Sequence, residues 1–162
     1  MKTHARTVFI CRGAIIAAAY VVLTYLSHLF GLDAGAVQVR VSEMLCILPM
    51  FTPAAIPGLY LGCLLANLLT GAVWLDVLVG PLATLIGALG AYALRRYKWL
   101  APIPTVLANA LIVPFVLAYG YGAEQAIPLM MLTVGAGEII SAYALGMVFY
   151  FAICKQADRI FK

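Results

Sequence analysis

Four ionisable residues stand in or beside stretches that otherwise read as hydrocarbon: Arg40, Glu43, Asp76 and Glu138. An ionisable group inside a membrane helix costs about 2.5–3.5 kcal/mol on insertion scales, so each needs a partner or a task. Gln38, Asn67 and Asn109 are the neutral polar groups nearest to hand. The most informative run is Val37-Gln38-Val39-Arg40-Val41-Ser42-Glu43. Its valines alternate with polar residues, which predicts an extended lead-in with one polar face. If the chain is helical from Arg40 onward, Arg40 and Glu43 are neighbours at i,i+3. Two readings stay open: an Arg40–Glu43 ion pair that caps a helix, or an Arg and a Gln presented to a ligand with Glu43 orienting them.

Glu138 lies in Val134-Gly135-Ala136-Gly137-Glu138-Ile139-Ile140, with no basic residue within a helical turn. It is either a protonated, hydrogen-bonded structural carboxyl or a ligand contact. The small residues before it let a helix or a ligand come close. A carboxylate is the natural partner of a donor–donor edge, such as the N1–H and 2-amino groups of a guanine-like ring. Asn67 and Asn109 fit interhelical hydrogen bonding as well as ligand contact. Trp74 is a membrane-belt anchor or a stacking plate, and Asp76 caps a helix or meets a cationic substituent. Tyr20, Tyr60, Tyr119 and Tyr121 read as belt or packing residues rather than ligand contacts.

The elements that must position these groups follow from hydropathy and charge. Of 162 residues, 65% are hydrophobic and 10% charged, against about 25% charged in a soluble domain. Nine of the ten basic residues fall in three clusters: Lys2, Arg6 and Arg12; Arg95, Arg96 and Lys98; Lys155, Arg159 and Lys162. Basic residues are retained on the cytoplasmic side, so an even number of spans separates each pair of clusters. Breaks at Gly31–Gly35, Thr52–Gly58, Thr70–Asp76 and Gly120–Gln125 then give six spans, at roughly 10–30, 41–56, 57–73, 76–94, 101–119 and 127–154. The expectation is an all-α membrane protein: one six-helix bundle, both termini cytoplasmic, embedded in a bilayer. The second and third spans are short and are parted by Pro53 and Pro57, which disfavour continuous helix. The apolar run from Gly13 to Phe30 is longer than a signal-peptide core of about 7–15 residues and is expected to be retained as the first span. On that span Ala14 and Ala18, like Gly13 and Ala17, are four apart and form smooth strips for helix packing.

Several functions are excluded or disfavoured. There is no P-loop, no nucleophile–base arrangement and no H-E-x-x-H, so an enzyme is not expected. Cys11, Cys46, Cys63 and Cys154 show no metal-ligand spacing, His4 and His28 suggest no metal site, and no cofactor is called for. The clustered positives, without a basic aromatic stripe, argue against nucleic acid.

The quoted runs, together with Ile56-Pro57-Gly58-Leu59-Tyr60-Leu61-Gly62-Cys63-Leu64-Leu65-Ala66-Asn67-Leu68-Leu69, Leu75-Asp76-Val77-Leu78-Val79-Gly80 and Ala83-Thr84-Leu85, make the chain resemble the QueT family. These are S components, the substrate-binding membrane subunits of energy-coupling factor (ECF) transporters, associated with uptake of queuosine precursors. The likeness runs in order through nearly the whole chain.

The resemblance implies six helices, a substrate site near the extracellular side, and docking on a transmembrane T subunit driven by two ATPase subunits in the bacterial plasma membrane. An alanine strip on the first helix, matched by Ala14 and Ala18, is implied as the docking face. The implied substrate is a 7-deazaguanine, pre-queuosine-1 or a relative such as queuine. Gln38, Arg40, Glu43, Asn67, Trp74, Asp76, Asn109 and Glu138 are then the candidate substrate-binding residues. Glu138 or Glu43 would read the N1–H and 2-amino edge, Arg40, Gln38 or an Asn the O6 acceptor, Trp74 would stack and Asp76 would meet an ammonium. The rival readings are an S component for another small heterocyclic nutrient, a stand-alone secondary transporter, and a non-transporting membrane scaffold.

Overall fold

A computed structural model describes residues 2–33 and 37–157. Arg159 and Lys162 of the last basic cluster, and residues 34–36 of the first predicted outer loop, lie outside the described residues. Every described element is helical. In order these are α1 (Lys2–Leu29), a 3₁₀ helix (Val41–Met50), α2 (Ala55–Leu69), α3 (Trp74–Ala93), α4 (Ile103–Gly120) and α5 (Ile127–Glu138). A π-helical segment (Ile139–Leu145) then runs without a break into α6 (Gly146–Ile153).

Four helices are long and apolar enough to cross a membrane: His4–Leu29, Trp74–Ala93, Ile103–Gly120 and the continuous rod Ile127–Ile153. Val41–Met50 and Ala55–Leu69 are shorter apolar helices. The outward faces carry large aliphatic side chains, among them Leu65, Leu68, Leu82, Ile86, Leu111 and Leu132. Such a wide apolar exterior, with polar groups turned inward, suits a lipid surround.

The 3₁₀ helix is the centre of the packing. Leu45, Cys46, Ile47 and Leu48 are all buried, and the core gathers Ile16 and Tyr20 of α1, Leu59 and Cys63 of α2 and Ala88 of α3 around them. Ten residues at a 3₁₀ rise of about 2.0 Å reach roughly 20 Å, where an α-helix would reach roughly 15 Å. The tighter winding therefore lets a short segment run deep through the bundle. The prolines behave differently from expectation. Pro53 sits in the turn between Met50 and Ala55, but Pro57 lies inside the first turn of α2. A proline is tolerated there because the N–H it lacks would have had no helical acceptor.

Close approach of α1 and α2 uses glycines. A Cβ on Gly58 would meet the Gly13 carbonyl oxygen at 2.7 Å, and one on Gly62 would meet the Tyr20 Cβ at 2.8 Å. The strip of α1 that packs internally is thus Gly13, Ala17 and Tyr20, while Ala14 and Ala18 on the neighbouring strip are exposed. Three helices, α1, α2 and α4, are followed by glycines of positive φ at Gly31, Gly71 and Gly122, which satisfy their last carbonyls with a left-handed turn.

Candidate binding site

The lead-in is extended as the alternation predicts. Arg40 has φ −104° and ψ 105°, and the 3₁₀ helix starts at Val41. Three side chains on one stripe of α1 hold this start in place. The Val41 N–H donates to Ser27 Oγ at 3.0 Å, Thr24 Oγ1 donates to Ser42 Oγ at 2.8 Å, and the Tyr20 hydroxyl donates to Glu43 Oε1. Cys46 Sγ donates to the other Glu43 oxygen at 3.1 Å. From the opposite side the lead-in rests on α5. A Cβ on Gly137 would collide with the Gln38 carbonyl oxygen, so the glycine is what allows the strand to cross there.

The Arg40 side chain does not close an ion pair with Glu43, which corrects the capping reading. It points to Asp76 in the first turn of α3, Nη2 to Oδ2 at 3.4 Å. The extended conformation of Arg40 turns its side chain away from the following helical turn. Burial works against the guanidinium, but the Asp76 carboxylate, with Glu43 among the groups behind it, carries its pKa above the ordinary arginine value. The Tyr121 hydroxyl donates to the same Asp76 oxygen at 3.2 Å. Burial and Asp76 push the Tyr121 pKa up, so it stays protonated and able to donate. Asp76 does not cap α3 by its side chain, as its carboxylate is directed inward.

These groups wall one small cavity. It is lined by Gln38, Arg40 and Glu43 from the lead-in and 3₁₀ turn, and by Cys63 from α2. Asp76, Gly80 and Thr84 come from α3, Asn109 and Val113 from α4, and Val134 and Glu138 from α5. Its volume is about 20 Å³, room for one water. A cleft of about 390 Å³ shares Gln38, Arg40, Asp76 and Val113 with it, and reaches Tyr121, Gly71 and Asp33. A second cleft, of about 430 Å³, shares Gln38 and Val134. Gln38, Arg40 and Asp76 therefore stand between the inner cavity and the wider space.

Six of the eight candidates meet in this wall: Gln38, Arg40, Glu43, Asp76, Asn109 and Glu138. Asn67 and Trp74 are not among its lining residues. Asn67 is buried behind it, where Nδ2 donates to the Asp76 backbone carbonyl at 3.0 Å and holds the first turn of α3 to α2. Trp74 is 72% exposed. The sequence reading takes Tyr20 and Tyr121 as belt or packing residues and does not single out Cys63 or Thr84 for the site. The signal for Tyr20 was available: Tyr20, Thr24 and Ser27 recur at i, i+4 and i+7, one stripe of an apolar helix. Tyr121 had none, since its partner lies 45 positions away. Among the described residues no cluster of His, Cys, Asp or Glu could hold a metal.

The wall holds three carboxyl groups and one guanidinium, with two side-chain amides. That composition favours a small ligand richer in hydrogen-bond donors than in acceptors. A curated protein of Lactococcus lactis subsp. cremoris (strain MG1363), "Queuosine precursor transporter QueT", is 41% identical over 86 residues, covering 52% of this chain. The match spans half the length of that relative. No solved structure matches the chain. The family model described as QueT transporter matches residues 10–155, which takes in every wall residue, and the chain belongs to the QueT transporter family.

Proposed function

We propose that this chain is the substrate-binding membrane subunit of an ATP-driven importer of the energy-coupling factor type, and that it takes a queuosine precursor. In this reading the apolar helices make six spans in a single domain, both termini lie in the cytoplasm, and the clefts around Gln38 and Asp33 open to the outside of the cell. The observation that carries the proposal is the meeting of six dispersed polar residues in one small cavity. Such groups are expensive beside lipid, and packing alone does not require them to face a shared void. The family and the name of the Lactococcus relative supply the substrate class.

The excess of acids over bases favours a precursor that carries an ammonium, the 7-aminomethyl base or queuine, over the neutral 7-cyano base. The cavity, at about 20 Å³, is smaller than such a ring. A ring is admitted only when the wall of Gln38, Arg40 and Asp76 moves toward the wider cleft. The exposed Ala14 and Ala18 leave a smooth face on α1 for a transmembrane T subunit carrying two ATPases.

Calorimetry on the solubilised protein with guanine, the 7-cyano and 7-aminomethyl bases and queuine tests the substrate. Tight binding of an aminomethyl or queuine ligand, with no ATP and no ion gradient, is expected. Uptake by cells should vanish when the ATPases are removed. Gradient-driven uptake by the lone chain would replace this proposal with a secondary transporter, and tight binding of an unrelated heterocycle would change the substrate.

A further inference from the structure

The three acids of the cavity are not equivalent. Asp76 Oδ2 already accepts from Arg40 and Tyr121. Both oxygens of Glu43 already accept, one from the Tyr20 hydroxyl and one from the Cys46 thiol. Glu138 is different. It is 8% exposed, and its Oε2 is fully buried with no hydrogen-bond partner. A buried acceptor left unsatisfied is costly, and native structures seldom keep one without a use. The Asn109 amide of α4 interacts with the carboxyl, but the groups that share the cavity with it, Thr84 and Gly80 of α3 and Gln38 and Arg40 of the lead-in among them, leave Oε2 without a bond.

The local structure keeps Glu138 in this position. It is the last residue of α5, and the next seven residues are π-helical. Such widened turns often occur at functional sites. Gly135 and Gly137 bring no side chain to shield it, and Gly137 is covered by the Gln38 backbone. The carboxyl thus has a fixed origin, the cavity before it and one oxygen unclaimed.

We infer that Glu138 is the carboxyl that reads the ligand, through paired N–H donors on one edge of a planar heterocycle, whereas Glu43 and Asp76 are committed to holding the wall. This rests on the proposed binding of a 2-amino-7-deazapurine base. Glu43 acts as a positioning residue: it ties the 3₁₀ turn to α1 through Tyr20.

The test is a ligand–variant cycle by calorimetry. The ligands are the 7-aminomethyl base and an analogue that lacks only the 2-amino group. The proteins are wild type, Glu138→Met and Glu43→Gln, each checked for a monodisperse, cooperatively melting preparation. Wild type should prefer the 2-amino ligand by about tenfold or more, the range expected of a lost member of a bidentate pair. Glu43→Gln should keep that preference whatever its overall affinity, and Glu138→Met should bring the two ligands to near parity. A preference that survives in Glu138→Met, or collapses in Glu43→Gln, overturns the assignment while leaving the precursor reading intact. Wild type that binds both ligands equally does the same. Wild type that binds neither base overturns the precursor reading as well. If Glu138→Met fails to fold, the Glu43→Gln arm still decides, because a collapsed preference there rejects the assignment and a retained one supports it.

Discussion

Arg40 and Asp76, 36 positions apart, meet at 3.4 Å across the mouth of the cavity. One comes from an extended segment and the other from the first turn of α3, so the contact ties two elements that share no local backbone bond. The Asp76 side chain is 4% exposed and the Arg40 side chain 24%, which places the pair between a surface and a buried bridge in energy.

Removing both members should therefore cost less than the two single removals added together. Arg40→Met leaves Asp76 buried with Tyr121 as its remaining side-chain donor, and Asp76→Asn leaves the guanidinium without its anion. Each single variant is expected to melt at lower temperature, by roughly 1–3 kcal/mol of stability, and the double variant by less than the sum. Thermal unfolding of the four proteins measures the coupling. Strict additivity would show that the two side chains do not interact in the membrane-embedded protein.

Trp74 offers a cleaner discrimination. Stacking on a base is worth about 1–3 kcal/mol per base on alanine substitution, and a plate for the ligand would have to face the cavity. Trp74 is 72% exposed and lies outside the cavity wall. Trp74→Ala is expected to leave ligand affinity nearly unchanged in calorimetry. A loss of stacking size would mean that the ligand lies against the outer surface of α3 rather than in the cavity.

Much of this arrangement was legible in the sequence, and the reason is the cost of polarity in lipid. Arg40, Glu43, Asp76 and Glu138 stood out because almost nothing around them is polar. Their convergence could be expected without knowing the geometry. The alternation of Val37, Val39 and Val41 gave the extended lead-in. Pairing was not legible. Arg40 finds Asp76 rather than Glu43 because its backbone is extended, and the tyrosines that satisfy the acids come from α1 and from the turn after α4. Asn67 reads equally as a ligand contact or as interhelical glue, and its hydrogen bond to a backbone carbonyl is a task that leaves no trace in local sequence. The 3₁₀ winding of Val41–Met50 and the π-helical turn after Glu138 depend on tertiary packing, which overrides the local preference for an α-helix.

The two strips on α1 should respond differently to bulk. Ala17 is buried against Gly62 of α2, whereas Ala14 and Ala18 are exposed. Ala17→Leu is expected to destabilise the fold by about 1–3 kcal/mol through overpacking. On the proposed docking of a partner at this face, Ala14→Leu and Ala18→Leu should leave melting and ligand binding unchanged while reducing uptake in cells, because the added bulk would hold the partner off. Parallel measurements of melting, binding and uptake separate these cases. Equal loss of binding and uptake in Ala14→Leu would remove the docking role from that strip.

Gly135 and Gly137 are two residues apart on α5 and give the most direct check on where the lead-in lies. A Cβ on Gly135 would meet only the Ala110 Cβ, at 3.5 Å, an ordinary contact. A Cβ on Gly137 would collide with backbone atoms of Gln38, which cannot yield without moving the whole lead-in. Gly135→Ala is therefore expected to be neutral or slightly stabilising, since it also restricts the unfolded chain. Gly137→Ala should cost about 1–3 kcal/mol of stability. It should also weaken ligand binding, because displacing Gln38 drags Arg40 away from Asp76 and opens the wall beside Glu138. Melting and calorimetry on the two variants decide. If Gly137→Ala binds and melts like wild type, the lead-in does not rest on α5, and the cavity has lost one of its walls.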